Sequence, residues 1–330
     1  MTHPIAVVTG AGAGIGRAVV RTLAEAGCDI ALLGRNADRL SDAAAELDGH
    51  HVRVATYVAD VTSEQALEDA ADRIETELGP IAIWINAAGA SAIGAVSDLA
   101  ADDIVQSMRV TYLGTVLGTR AALSRMRRRG RGRIINLGLM PQLRGLPLHA
   151  AGNAAHAAIE AFSDSLRPEL IAHGDRIDVT VVHLPSINTP RLGWSRNRTG
   201  HALRPYGTPY EPEAAALAIV RAAFGGQRDI WLGLRGAHHG ILTALLPGMR
   251  DRWLARSAIS AQVDRHEDLQ ADAPDTLLES PAGAFAAHGA FETVGFRSER
   301  AQPAIVTPGL RLGLIAVAAA LSTWLLRRRR

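Results

Sequence analysis

Eight residues near the start of the chain, Thr9-Gly10-Ala11-Gly12-Ala13-Gly14-Ile15-Gly16, have the types and spacing to seat a pyrophosphate. They follow an apolar run at residues 5–8 and open a helical pattern at 15–26. A bound pyrophosphate needs a sharp turn, a backbone bare enough for close approach, and a helix N-terminus whose dipole faces its charge. Glycine meets the first two needs because it lacks a Cβ and tolerates positive φ. The spacing is Gly10-x-x-x-Gly14-x-Gly16, not the Gly-x-Gly-x-x-Gly of the commoner dinucleotide fingerprint. Strand, turn and helix in that order make the signal specific.

The remaining chemical inventory is thin. The chain has no lysine, so all 35 of its basic residues are arginine, and its four tyrosines are Tyr57, Tyr112, Tyr206 and Tyr210. The single cysteine, Cys28, excludes an intramolecular disulfide and reads as structural. His50-His51 and His238-His239 are adjacent pairs without further ligands at usable spacing, so no metal site is expected. His149 and His156 stand seven apart, on one face of a predicted helix. A net charge of +2 gives no reason to invoke nucleic acid. The arginines at 125, 127–129, 131 and 133 read as cations gathered at a helix C-terminus.

These residues need a frame, and hydropathy supplies one. Short runs rich in β-branched residues at 5–8, 29–33, 52–58, 81–86, 133–137, 178–183 and 229–232 read as buried parallel strands. Helical patterns lie between them at 15–26, 37–47, 63–78, 101–126, 150–172 and 211–224. The alternation predicts an α/β fold, a Rossmann-type doubly wound parallel sheet of about seven strands. The dinucleotide-binding domain spans 1–240. Residues 188–210, rich in Pro, Gly and Arg and bearing Trp194, form a long loop that reads as a lid. Residues 241–303 are an extension, helical around 248–263 and looser beyond.

Three motifs at successive strand ends resemble the short-chain dehydrogenase/reductase family over residues 4 to about 232. They are Thr9-Gly10 through Gly16, Asp60-Val61, and Asn86-Ala87-Ala88-Gly89. The resemblance implies a nicotinamide cofactor held by Thr9, Gly10, Gly14, Ile15 and Gly16, with Asp60 and Val61 at the adenine. Asn86 and Gly89 form a further turn, and Pro185 with Thr189 stand at the carboxamide end. At the end of the second strand, Gly34 replaces the acidic residue that would grip the ribose of NAD, and Arg35 follows. A guanidinium pairs well with a 2′-phosphate, so the expected cofactor is NADP(H).

The family's chemistry rests on Asn, Ser and a Tyr-x-x-x-Lys pair, and this chain departs from all four. Thr111 stands at the asparagine position, Gly138-Leu139 at the serine pair, Gly152 at the tyrosine and His156 at the lysine. No catalytic residue is therefore assigned. The favoured reading is an NADP(H)-binding scaffold without the usual proton-coupled hydride transfer, acting as a cofactor sensor or as a dimer partner through helices 101–126 and 150–172. One alternative is an oxidoreductase of non-standard mechanism that reduces a carbonyl or an activated double bond. In it His156 would be a weak acid, or Tyr206 or Tyr210 would swing inward. A third reading, a membrane-docked module for an apolar ligand, rests on the tail at 304–330.

Within that tail, residues 312–326 are uncharged and apolar all round, and Arg327–Arg330 follow. As a helix the run spans about 22 Å, short of the ~30 Å hydrocarbon core. It reads either as a membrane attachment helped by snorkelling arginines and Trp324, or as a terminal helix packed on the domain or a partner. An apolar strand starting at Ile5 leaves no room for an N-terminal signal, so the expected location is cytoplasmic with or without that attachment.

Overall fold

Strands covered on both faces need apolar side chains on both, and seven Val-, Ile- and Leu-rich runs form one parallel sheet for that reason. The computed structural model describes residues 3–140, 143–233, 246–270, 273–280, 286–291 and 305–306. In chain order the first half holds β1 (Ile5–Thr9), α1 (Gly14–Glu25), β2 (Asp29–Gly34), α2 (Ala37–Ala45), β3 (Val54–Val58), α3 (Glu64–Glu77), β4 (Ile81–Asn86) and β5 (Ala92–Ile93). Then come α4 (Ala101–Met108), α5 (Gly114–Arg129), β6 (Arg131–Leu139), α6 (Ala150–His173), β7 (Arg176–Leu184), β8 (Arg196–Asn197) and β9 (His201–Leu203). The last are α7 (Pro212–Gly225), β10 (Asp229–Leu232), α8 (Pro247–Gln262), β11 (Val263–Asp268) and β12 (Ile305–Val306).

The main sheet runs β3-β2-β1-β4-β6-β7-β10, with the two residues of β12 antiparallel on β10. Side chains of α1, α2 and α7 fill one face and those of α3, α5 and α6 the other. Strand order reverses between β1 and its neighbours β2 and β4, which opens a crevice at the carboxyl ends of the strands. The Rossmann-type architecture read from the sequence is the architecture of the chain.

Three local expectations are corrected. The helix expected at 101–126 is broken by a π-helical turn, Arg109–Leu113, between α4 and α5. The wider turn lets the Thr111 hydroxyl reach Ala90, donating to its carbonyl (2.8 Å) and accepting from its N–H (3.2 Å). Thr115 Oγ donates in turn to the Thr111 carbonyl at 2.8 Å. Such turns are common where a side chain must be re-aimed at a site. The third strand starts at Val54, two residues later than expected.

Residues 188–210, expected as a long loop, also hold two short strands. Of these, β8 pairs with β5 and β9 with β11 of the extension. The buried Asp103 carboxylate accepts from Arg196 Nη1 and Arg198 Nε, both at 2.8 Å. Those guanidiniums, Arg198 first, hold Asp103 down at about 2 despite its burial. The arginine cluster at 125–133 likewise joins elements. Arg125 is buried and bridges Glu68 (2.7 Å) and Asp72 (2.6 Å) of α3, while Arg129 meets Glu75 and Arg127 meets Asp175. Among the described residues no helix is long and apolar enough to cross a membrane. The apolar run at 312–326 lies outside the described residues.

Candidate active site

A cavity of about 370 Å³ runs along the carboxyl ends of the strands, from the glycine turn to the lid. Thr9 closes β1, and its Oγ accepts the N–H groups of Ala87 and Ala88, each at 3.1 Å, which ties the turn after β1 to the turn after β4. Gly10 adopts φ +67°, and a Cβ there would come 2.8 Å from Ala88 Cα. A Cβ on Gly16 would lie 2.2 Å from the Gly10 carbonyl oxygen. Both positions admit only glycine. Ile15 lines the cavity and packs against the core, and Thr189 sits across from Gly14.

The other expected residues divide. Val61, Gly89, Pro185 and Thr189 line the cavity, whereas Asp60 does not; its carboxylate accepts the Thr62 N–H at 2.8 Å. Asn86 reaches the cavity edge, but its side chain is knotted into the core. Trp84 Nε1–H donates to Asn86 Oδ1 at 2.9 Å, and Asn86 Nδ2 donates to Asn136 Oδ1 (2.9 Å) and Thr119 Oγ (3.1 Å). Asn136 continues the chain to Ser163 Oγ at 3.0 Å.

Arg35 meets a partner that sequence reading missed. Its guanidinium donates to the backbone carbonyls of Leu278 (2.8 Å) and Thr276 (3.0 Å), both in the extension. A second piece of the extension takes the Gly14 N–H, which donates to the Ala286 carbonyl at 3.1 Å. His288 meets Glu213 at 3.1 Å and so holds this piece to α7. Backbone carbonyls leave no signature in a sequence, so neither contact was legible there. Arg39 lies over the Trp194 ring, 4.8 Å from its centroid, beside Arg35. Burial first, and the charge of Arg35 second, bring its pKa down to about 10. No Asp or Glu lines the cavity among the described residues.

At the α6 end of the cavity, neighbours crowd the Cβ positions of Gly152 and Gly138. A Cβ on Gly152 would stand 2.8 Å from Ser91 Oγ, and one on Gly138 would meet Val181 at 2.8 Å and His183 at 3.1 Å. The buried His183 lies between Asp229 (3.1 Å) and Glu160 (3.4 Å). Burial opposes its charge, but the two carboxylates outweigh burial and raise its pKa. Tyr206 lines the cavity, and burial raises its phenol's pKa against the nearby Arg250.

The ring of His156 is held by Nδ1–H donating to the Leu137 carbonyl at 3.1 Å, since a carbonyl can only accept. Burial, with Arg191 adding to it, brings His156 down to about 4, and burial does the same for His149. With Nδ1–H so engaged, a neutral His156 presents Nε2 as an acceptor. An unfolded histidine titrates near ~6.5. The folded chain binds fewer protons between that value and about 4, so stability rises with pH across this window and is lost as pH falls through it. We expect the urea midpoint to drop as pH is lowered from neutrality into this window, and His156→Asn to flatten the slope. A parent protein with level stability there would contradict desolvated imidazoles.

The short chain dehydrogenase family matches residues 4–199. The chain belongs to that family. The bovine dehydrogenase/reductase SDR family member 7B is 33% identical over 282 residues, covering 80% of this chain and 84% of the relative. An NAD⁺-bound xylitol dehydrogenase aligns at 31% identity with a TM-score of 0.53, over 56% of this chain and 70% of that one. A short-chain dehydrogenase from Streptomyces avermitilis shares the fold more widely. Its TM-score is 0.63 at 22% identity, over 78% of this chain and 98% of that one. Short-chain dehydrogenases are oxidoreductases that bind a nicotinamide cofactor, and the glycine turn described above is where this member carries the family's motif.

Proposed function

We propose that this short-chain dehydrogenase relative binds NADP(H) and does not run the family's acid-assisted hydride transfer. The observation that carries the reading is the contrast between the two ends of one cavity. At the nucleotide end, Gly10 and Gly16 keep a turn that no side chain can enter. Arg35 and Arg39 supply two adjacent guanidiniums for a 2′-phosphate, with no acidic residue among the described lining to repel it. At the other end the tyrosine and lysine positions hold Gly152 and a neutral His156.

The bound cofactor would supply a hydride at its nicotinamide. The chain's residues would hold and orient it: the Gly14 N–H and the α1 N-terminus at the pyrophosphate, Arg35 at the 2′-phosphate, Thr189 near the carboxamide. Occupation exchanges the extension's carbonyls on Gly14 and Arg35 for phosphate oxygens, and charge-assisted bonds are the stronger of the two. A cofactor sensor follows from that exchange, since nucleotide and extension compete for the same donors. Arg35→Glu places a carboxylate at the phosphate. We expect fluorescence titration to show NADPH binding weakened by about tenfold or more and NADH binding little changed. Equal losses for both nucleotides would remove the 2′-phosphate assignment.

A further inference from the structure

The lid carries four arginines between residues 191 and 204, and three have carboxylate partners. Arg196 and Arg198 share Asp103, Arg196 also meets Asp275 at 2.6 Å, and Arg204 pairs with Asp264. Arg191 differs. Its side chain opens into the cavity, and its guanidinium has no hydrogen bond or ion pair among the described residues. Neighbouring protein lowers its pKa, although the side chain stays exposed to the open cavity. An exposed guanidinium without a protein partner can meet the anionic group of a ligand that enters the cavity. The Arg191 charge acts on His149 and His156 at the α6 end of the cavity. Leu143, Leu146, Leu192 and Ile93 give the same cavity an apolar wall.

We propose that Arg191 seats the carboxylate of a small amphipathic acid whose apolar body lies along that wall. A guanidinium grips a carboxylate through two parallel N–H donors, and a pocket of mostly apolar lining with one such group fixes a ligand's orientation. This assigns a ligand class to the non-nucleotide end of the cavity and stands whether or not NADP(H) binds. The carboxylate neutralises Arg191, so the two imidazoles beside it become easier to protonate.

The test titrates the full chain by calorimetry with acetate, hexanoate, octanoate and decanoate, each against its primary amide, with and without NADPH. We expect a longer carboxylate to bind about tenfold or more tighter than its amide. Arg191→Gln should remove that preference and Arg191→Lys should keep part of it. Arg198→Gln, outside the cavity lining and paired with Asp103, serves as the control and should leave it intact. Bound octanoate should also raise the pKa of His156 in an NMR titration. Equal binding of acid and amide, no binding of any carboxylate at millimolar concentration, or an Arg191→Gln variant that binds octanoate normally would each overturn the proposal. So would an Arg191→Gln variant that loses only NADPH, which would make Arg191 a cofactor contact. Failure of NADPH binding alongside normal octanoate binding would sink the nucleotide reading and leave this one standing.

Discussion

Gly16→Val is expected to weaken NADPH binding by about a hundredfold or more and to lower stability by on the order of 2–4 kcal/mol. The new Cβ would lie 2.2 Å from the Gly10 carbonyl oxygen, 2.7 Å from its carbon and 3.1 Å from Ala11 Cα. All three are backbone atoms of the turn, so no side chain can rotate away to make room. The first turn of α1 must move off β1, and the N–H groups that face a phosphate move with it. Gly248→Ala is the matched control. It lies in α8 with nothing within 4 Å of its Cβ position, and alanine favours a helix over glycine by about 1 kcal/mol. Thermal denaturation and fluorescence titration of both variants check the contrast. A stable Gly16→Val protein that binds NADPH normally would mean that the turn is not the nucleotide seat.

Asn86→Ala should cost on the order of 3–5 kcal/mol, an effect of similar size with a different cause. Asn86 is buried, accepts from Trp84 and donates to Asn136 and Thr119, and Asn136 passes the chain on to Ser163. Truncation strands the Trp84 indole N–H and the Asn136 carbonyl oxygen away from water, where each orphaned group costs about 1–3 kcal/mol. Gly118 stands so close to this network that any Cβ there would meet Asn86 Oδ1 at 2.3 Å, so the surroundings have little freedom to repair it. Urea denaturation reads the loss directly. A variant as stable as its parent would show that the network contributes nothing to the joining of β4, β6 and α6.

The sheet was legible because buried parallel strands need continuous apolar runs, and strands β1, β2, β4 and β10 fall within a residue of those runs. The glycine turn was legible because close packing of backbone on backbone leaves no residue choice. Asn86 and Arg35 were visible as residues but not by what they bond. Asn86 faces partners 33 and 50 residues away, and Arg35 faces carbonyls more than 240 residues away. Arg191 was invisible for a related reason. The lid's arginines look alike in sequence, and only the placement of Asp103, Asp264 and Asp275 separates the three that are satisfied from the one that is not. The π-helical turn escaped because one extra residue per turn leaves the apolar pattern of 101–126 almost unchanged.

On the proposed reading, the nucleotide end of the cavity binds its cofactor and the opposite end does not move a proton. The most direct measurement loads the full chain with stoichiometric NADPH and follows its absorbance and fluorescence with a panel of ketones, enones and imines. We expect saturable binding and a cofactor that stays reduced throughout. Oxidation of NADPH that His156→Asn abolishes would contradict this reading and make that imidazole a working proton donor. Absence of binding in a demonstrably folded protein would contradict it from the other side.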